Sequence, residues 1–443
     1  EGVTFPLGRT VEPTQIPDQT NQWAPRLGFA WDVGGDGRTV VRGHGGLYYA
    51  RTPGLLLTSP LNNFRIPAGD LSIQLPYSVP AGNPNNTLYR QLLLIGIDLN
   101  RFALDQMPTL STEQMTQIAT ALGLSVNPYG GAQPLVMDQD FKNPRATQFG
   151  IGGEREIATG MSLGAEFLYV KTDYLQRNRE VNLATPVPSN DVALRPTFAT
   201  LRPVTDLGSI QVCESTARSV YRALTLTSRA RKSWGELMAN YVLSKSESDD
   251  DNERDSGGPG AANTYDLTPE WGPARLDRRH IFNGYAMAFM PANFDVSAGF
   301  RFLSGLPIDA TMGRDADGSR GGPDRPYSAP GVSFVRNGFR NEPIKEVNLR
   351  VNWGLTVGAD NKILVTGEVF NLFNWDNMQL AGVAVTNYCA GTAPADCGFG
   401  APTNPNFLSL TDNVPTSATA GQLIRTNNPG APRQIQLGIR FLF

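Results

Sequence analysis

The chain has 443 residues, more than a usual single domain, so it holds either several domains or one very large sheet. Charged residues make up 18% of it, below the globular average of roughly 25%, while 46 Gly and 33 Pro supply material for many turns. A net charge of -3 provides no basic face, which argues against nucleic acid as the main partner, and no apolar run reaches the ~18 residues that a spanning helix needs.

Strands are read from period-two alternation, because successive strand side chains point to opposite faces. The first two lie at about 25–33 and 38–50, separated only by Gly34, Gly35, Asp36 and Gly37. A capped helix is predicted over 111–123, where Ser111 and Gln114 form a capping pair and Met115, Ile118, Ala119 and Leu122 share a face. A third strand is predicted over 145–157. In the fourth, Leu163, Ala165, Phe167 and Tyr169 oppose Ser162, Gly164 and Glu166. The fifth covers 218–231. In the sixth, Leu237, Ala239, Tyr241 and Leu243 oppose Glu236, Asn240 and Ser244. The seventh covers 278–290, and in the eighth Phe294, Val296, Ala298, Phe300 and Phe302 oppose Asp295, Ser297, Gly299 and Arg301. The ninth is the longest run: Val347, Leu349, Val351, Trp353, Leu355 and Val357 against Glu346, Asn348, Arg350, Asn352, Gly354 and Thr356. The tenth sets Val365, Gly367 and Val369 against Thr366 and Glu368. The last has Ile435, Leu437, Ile439, Phe441 and Phe443 on one face and Gln434, Gln436, Gly438 and Arg440 on the other, with Leu442 the exception.

The connections carry more weight than any single strand. Tight links near 34–37, 159–160, 232–234, 291–292 and 359–360 alternate with long ones near 51–144, 170–217, 247–275, 306–344 and 375–432. A membrane barrel segregates short turns to one side and long loops to the other. Several runs also approach the ~9–11 residues that a tilted strand needs to cross a bilayer. The expected fold is all-β, a transmembrane antiparallel β-barrel with long outer loops. The count is about eleven strands, an odd number, where bacterial single-chain barrels normally have an even one. The expectation is therefore an incomplete barrel, an open curved sheet with unpaired edges near 25–33 and 433–443.

Short motifs in order along the chain resemble TonB-dependent outer-membrane transporters, in particular the Oar-like subgroup. They are APRLGFAW at 24–31, DGRTVVRG at 36–43, YYAR at 48–51, YRAL at 221–224, YVLSKS at 241–246, LDRRHIF at 276–282, SGLP at 304–307 and EVFNLFN at 368–374. The resemblance implies a barrel of about twenty-two strands with a plug inside, of which residues 1–443 would be the C-terminal half. No plug, energy-coupling box or signal peptide is read in these residues. It also implies outer-membrane location and, as partners, outer-membrane lipid, the barrel-assembly machinery, a TonB complex acting through the plug, and a scarce small solute, glycan or peptide ligand. A passive porin or structural surface scaffold is the alternative, distinguished by the absence of a plug in the parent protein. A soluble β-rich binding protein is a further one, excluded by partition into detergent.

The resemblance marks Ile439, Phe441 and Phe443 as an assembly signal; read as residues alone they are lipid-facing strand positions. Glu166, Glu236, Arg301, Glu346, Arg350 and Glu368 fall on polar strand faces and would line the lumen. Cys389 and Cys397 sit in a Gly/Ala/Pro-rich stretch, either as a loop disulfide or as two inert thiols, which leaves Cys213 over. With only His44 and His280 present, no zinc ligand set forms, and no metal site is expected. The acidic run Asp249, Asp250, Asp251, Glu253 and Asp255 is expected as a solvated loop. Asp315, Asp317 and Asp324 start like a calcium loop, but position six is Arg320 and position twelve is Pro326, which rejects that motif. Asp277, Arg278, Arg279 and His280 are read as a salt-bridged rim, since no nucleophile accompanies them. No Gly-rich phosphate loop is present, so neither a cofactor nor an enzyme activity is expected.

Overall fold

A computed structural model describes residues 3–4, 10–11, 18–54, 92–93, 95–98, 111–121, 135–189, 193–205, 208–251, 261–319, 324–358, 361–390, 399, 402–424 and 430–443. Eleven long strands form one continuous antiparallel order, each paired with its neighbours in sequence. They are β1 (Arg26–Asp32), β2 (Thr39–Tyr49), β3 (Arg145–Ala158), β4 (Met161–Glu180), β5 (Gln211–Lys232), β6 (Gly235–Ser248), β7 (His280–Met290), β8 (Phe294–Leu303), β9 (Ile344–Val357), β10 (Asn361–Phe370) and β11 (Gln434–Leu442). Two short strands, Leu135–Met137 on β5 and Gly272–Pro273 on β6, bring the sheet to thirteen. Among the described residues β1 pairs only with β2 and β11 only with β10, so the sheet is open. All eleven expected strands are present.

Register extends the period-two pattern of single strands across the whole sheet. One cross-strand row runs Trp31, Val41, Gly153, Ala165, Leu226, Tyr241, Phe282 and Phe302. The row one step along, on the other face, runs Asp32, Val40, Glu154, Gly164, Thr227, Asn240, Asn283, Arg301 and Glu346. A one-residue slip at any pair would exchange the faces, so this agreement is what pins the register. Turn chemistry helps at the tight ends. Gly160 has φ +72, and a Cβ there would stand 2.5 Å from the Arg231 carbonyl oxygen.

The apolar face of the sheet is largely exposed, with Leu27 at 83% and Leu437 at 82%, while the buried apolar clusters lie among the loops. Val136, Val181, Ile210 and Val212 form one such cluster, and Leu135, Met137, Phe141 and Cys213 another. Met312, Tyr388 and Cys389 pack with Phe334 and Phe407, and Ile308, Leu380 and Val385 with Phe339. A water-soluble sheet would bury its apolar side first; here only the loop layer has a core of the ordinary kind. Strands β4 and β5 run past the alternating region into that layer. Their upper parts, such as Gln176, Arg177, Asn178 and Glu214, are polar and buried, which is why period-two reading stopped short of them. Helix α1 (Thr112–Ala121) carries the expected cap: the Ser111 N–H donates to Gln114 Oε1 at 2.8 Å, and the Gln114 N–H donates to Ser111 Oγ at 3.3 Å. Its expected apolar side chains lie outside the described residues.

Candidate functional site

Two features stand out, the polar face of the sheet and the loop layer above it. All six residues read as lumen-facing share the polar face. Arg301 and Glu346 are direct cross-strand partners. Arg350 and Glu368 are also partners and form an ion pair at 3.5 Å, and that row continues through Ser297 and Met287 to Glu236 and through Gln436 on β11. Glu346 accepts from Asn348 Nδ2 at 2.7 Å, and Asn352 Oδ1 accepts from both Arg350 and Thr366. This corner is therefore a bonded polar network rather than isolated charges. Glu166 lies in a separate crevice of about 330 Å³ beside Arg42, His44 and Glu154. Those three were not singled out from the sequence. Their strands alternate less cleanly because glycines take positions on both faces; the His44 ring lies against Gly150, where a Cβ would be 2.4 Å from it.

The loop layer is held by long-range ion pairs. Arg336 donates to Asp251 Oδ2 at 2.5 Å, to the Ser248 carbonyl at 2.5 Å and hydroxyl at 2.8 Å, and to the Glu270 carbonyl at 2.7 Å. Arg325 pairs with the Glu270 carboxylate. Arg177 pairs with Asp249 at 2.9 Å and Asp250 at 3.3 Å. This corrects the reading of the acidic run as a solvated loop: its first three carboxylates are partners of buried arginines, while residues 252–255 lie outside the described residues. The expected rim is also bonded. Asp277 takes the Ser246 N–H at 2.6 Å and pairs with Arg340, and His280 Nδ1 meets the Tyr241 hydroxyl at 2.8 Å.

Asp315, Asp317 and Asp324, which fail the calcium-loop spacing, are nevertheless brought together, with a carboxylate oxygen of each within 4.8 Å of the others. Backbone N–H groups of Ala316, Asp317, Gly318 and Ser319 donate to them. Burial, and then the charge of Asp324, pushes Asp317 up to about 7, and burial pushes Asp324 up to about 6. Both folded values lie above the unfolded ones. The stability that the protonated pair contributes is thus complete at acid pH and is lost as pH rises through these values. The protection of the amides at residues 315–319, measured as exchange relative to the intrinsic base-catalysed rate at each pH, is expected to fall between pH 5 and pH 8. Asp317→Asn should remove most of that dependence, and an unchanged profile would refute the assignment. Cys213 is a free buried thiol and Cys389 is disulfide-bonded; Cys397 lies outside the described residues.

An open antiparallel sheet with one apolar face, one polar face and a loop layer at a single end is the wall of a membrane barrel. Over residues 2–338 the chain matches the outer membrane beta barrel domain family, and it belongs to that family. Its location is the outer membrane. No curated protein matches it. Among solved structures it is similar to the FrpB iron transporter from Neisseria meningitidis (F3-3 variant), at 11% identity and a TM-score of 0.42, covering 95% of this chain and 39% of that one. It is also similar to the outer membrane transporter YddB from Escherichia coli (9%, 0.45, covering 95% and 40%). A third is a mutant of the ferric enterobactin receptor PfeA from Pseudomonas aeruginosa (10%, 0.44, 95% and 40%). The chain spans about two fifths of the length of these structures.

Proposed function

We propose that this chain forms part of the barrel wall of an active outer-membrane importer, which takes up a scarce solute with energy delivered by a TonB complex through a plug. The observation that carries the reading is the continuous polar face, with Arg350 and Glu368 paired on it and Glu166, Glu236, Arg301 and Glu346 beside them. In this reading that face is the lumen and its charges hold a plug. The apolar face meets lipid, and the packed loop layer is the outer, ligand-facing side.

Parity supports further strands in the barrel. An alternating sheet of eleven leaves β1 and β11 running the same way, whereas closure with antiparallel neighbours needs an even total. Motif order along the chain supports the transporter class, including the Oar-like subgroup. In a strain expressing the parent protein, uptake of its solute should be abolished by a protonophore and by loss of TonB. Protonophore-insensitive uptake, with a steady open conductance in planar bilayers, would instead make it a porin.

The terminal apolar residues Ile439, Phe441 and Phe443 serve in this reading as the signal for the barrel-assembly machinery. Phe443 follows β11 and is fully exposed. Removing Phe443 alone is expected to lower outer-membrane assembly severalfold, read as the heat-modifiable fraction on gels. Normal assembly would reduce these residues to lipid contacts.

A further inference from the structure

On the apolar face, strands β2 to β7 line an open groove of about 520 Å³. Gly153, Ala165 and Ala239 are among the small residues along it, Leu226 and Tyr241 are larger ones beside them, and Arg155 borders it. Tyr241 is fixed in place by its hydroxyl bond to His280 at 2.8 Å. Neither a turn nor close packing demands glycine at 153, since an added Cβ would meet Val40 O at 3.5 Å and Val41 Cγ2 at 3.7 Å, ordinary contacts. The space is therefore a property of the chosen side chains.

Arg155 is unusual for its face. It occupies the row of Thr39, Leu163, Ser228 and Ala239, and it is exposed. Its sequence neighbours Glu154 and Glu156 point to the opposite face, where Glu156 pairs with Arg38 at 3.9 Å. Among the described residues no carboxylate pairs with Arg155. It stands three positions before Ala158, where β3 ends at the tight turn, roughly 10 Å along the strand and nearer 7 Å in depth once tilt is allowed for. A guanidinium on that stem reaches the headgroup level by snorkelling.

We propose that the groove binds one phospholipid of the leaflet on the short-turn side, with an acyl chain along Gly153, Ala165 and Ala239 and the phosphate on Arg155. The proposal rests on the reading of the apolar face as the lipid face. A cation without a protein counter-ion beside an apolar groove is complementary to a lipid, whose charge and chain are joined at the same depth. Arginine suits the phosphate because its fork donates two parallel hydrogen bonds.

The test uses the protein purified from outer membranes, washed free of lipid in mild detergent and titrated with dioleoylphosphatidylglycerol. Native mass spectrometry counts the lipids retained. The expected result is one tightly retained lipid, weakened about fivefold by Arg155→Gln, as for the loss of one surface cation. Gly153→Val should weaken it by filling the groove, Arg155→Lys should keep most of it, and Arg222→Gln, outside the groove, should leave it unchanged. Retention equal to wild type in both Arg155→Gln and Gly153→Val overturns the proposal. If Arg155→Gln does not fold, Gly153→Val, which adds a β-branched residue to a strand, decides alone. Heat-modifiable migration and bilayer partition separate the two layers of argument. Failure to partition sinks the lipid-face reading, whereas normal partition without selective retention sinks only the groove.

Discussion

Val351→Arg is expected to destabilise the sheet in a bilayer by about 2–4 kcal/mol, as for a charge at the midplane on the lipid face of a barrel. Val351 lies in the middle of β9, with Val296 of β8 and Gly367 of β10 as its cross-strand partners, all on the apolar face. No acidic group occupies that row to receive the charge. Gln436→Arg is the matched control, because Gln436 sits on the opposite face directly across from Glu368. It should change stability by less than about 0.5 kcal/mol, as surface substitutions usually do. Urea unfolding from lipid vesicles, followed by tryptophan fluorescence, gives both numbers. Equal costs for the two substitutions would mean that the faces have been assigned wrongly.

The thickness of the apolar face supports placing Val351 at depth. On β5 the same face reads Arg222, then Leu224, Leu226, Ser228 and Ala230, then Lys232. The two cations are ten residue steps apart, about 33 Å along a strand and about 24 Å vertically at a tilt near 45°. That matches the ~25 Å apolar band of outer-membrane barrels.

Arg336→Ala should be the most damaging change in the loop layer. The side chain is buried and joins the end of β6 to the 270–273 segment through Ser248, Asp251 and Glu270. Truncation leaves the partly buried Asp251 carboxylate without its cation, and breaking such a pair costs about 3–5 kcal/mol. Asn337 Nδ2, at 3.0 Å from the same Asp251 oxygen, offsets only part of this. Hydrogen exchange should show the loss at residues 246–251 and 270–273, while β8 to β10 stay protected. Replacing both partners, Arg336→Met with Asp251→Leu, should recover much of the protection, since an uncharged pair carries no desolvation penalty. Uniform loss of protection across the sheet would show instead that loops and strands unfold as one unit.

How much of this was legible in the chain differs between the two features. The polar-face residues were, because alternation is local: Glu166, Arg301 and Arg350 each lie between two apolar residues, and Glu236, Glu346 and Glu368 each precede one that opens or continues an alternating run. Arg42, His44 and Glu154 share that face but were missed, since Gly43, Gly45, Gly150 and Gly152 blur the pattern around them. The acidic cluster was noticed in the sequence but set aside, for a different reason. Asp315, Asp317 and Asp324 begin like a calcium loop but fail its later positions, and only the fold of the loop brings their oxygens within 4.8 Å.

Strand number, face polarity and the alternation of tight and long connections were therefore determined by the sequence alone, because each depends on residues within a few positions of one another. Register, the loop ion pairs and the groove beside Arg155 were decided only by tertiary structure. Arg336 meets Asp251 across 85 positions and Arg177 meets Asp250 across 73, and no local pattern specifies which carboxylate a distant cation will reach. The groove likewise exists only because register sets Gly153 and Ala165 side by side, with Ala239 two rows along on the same face, on three strands that a one-residue slip would have turned to opposite faces.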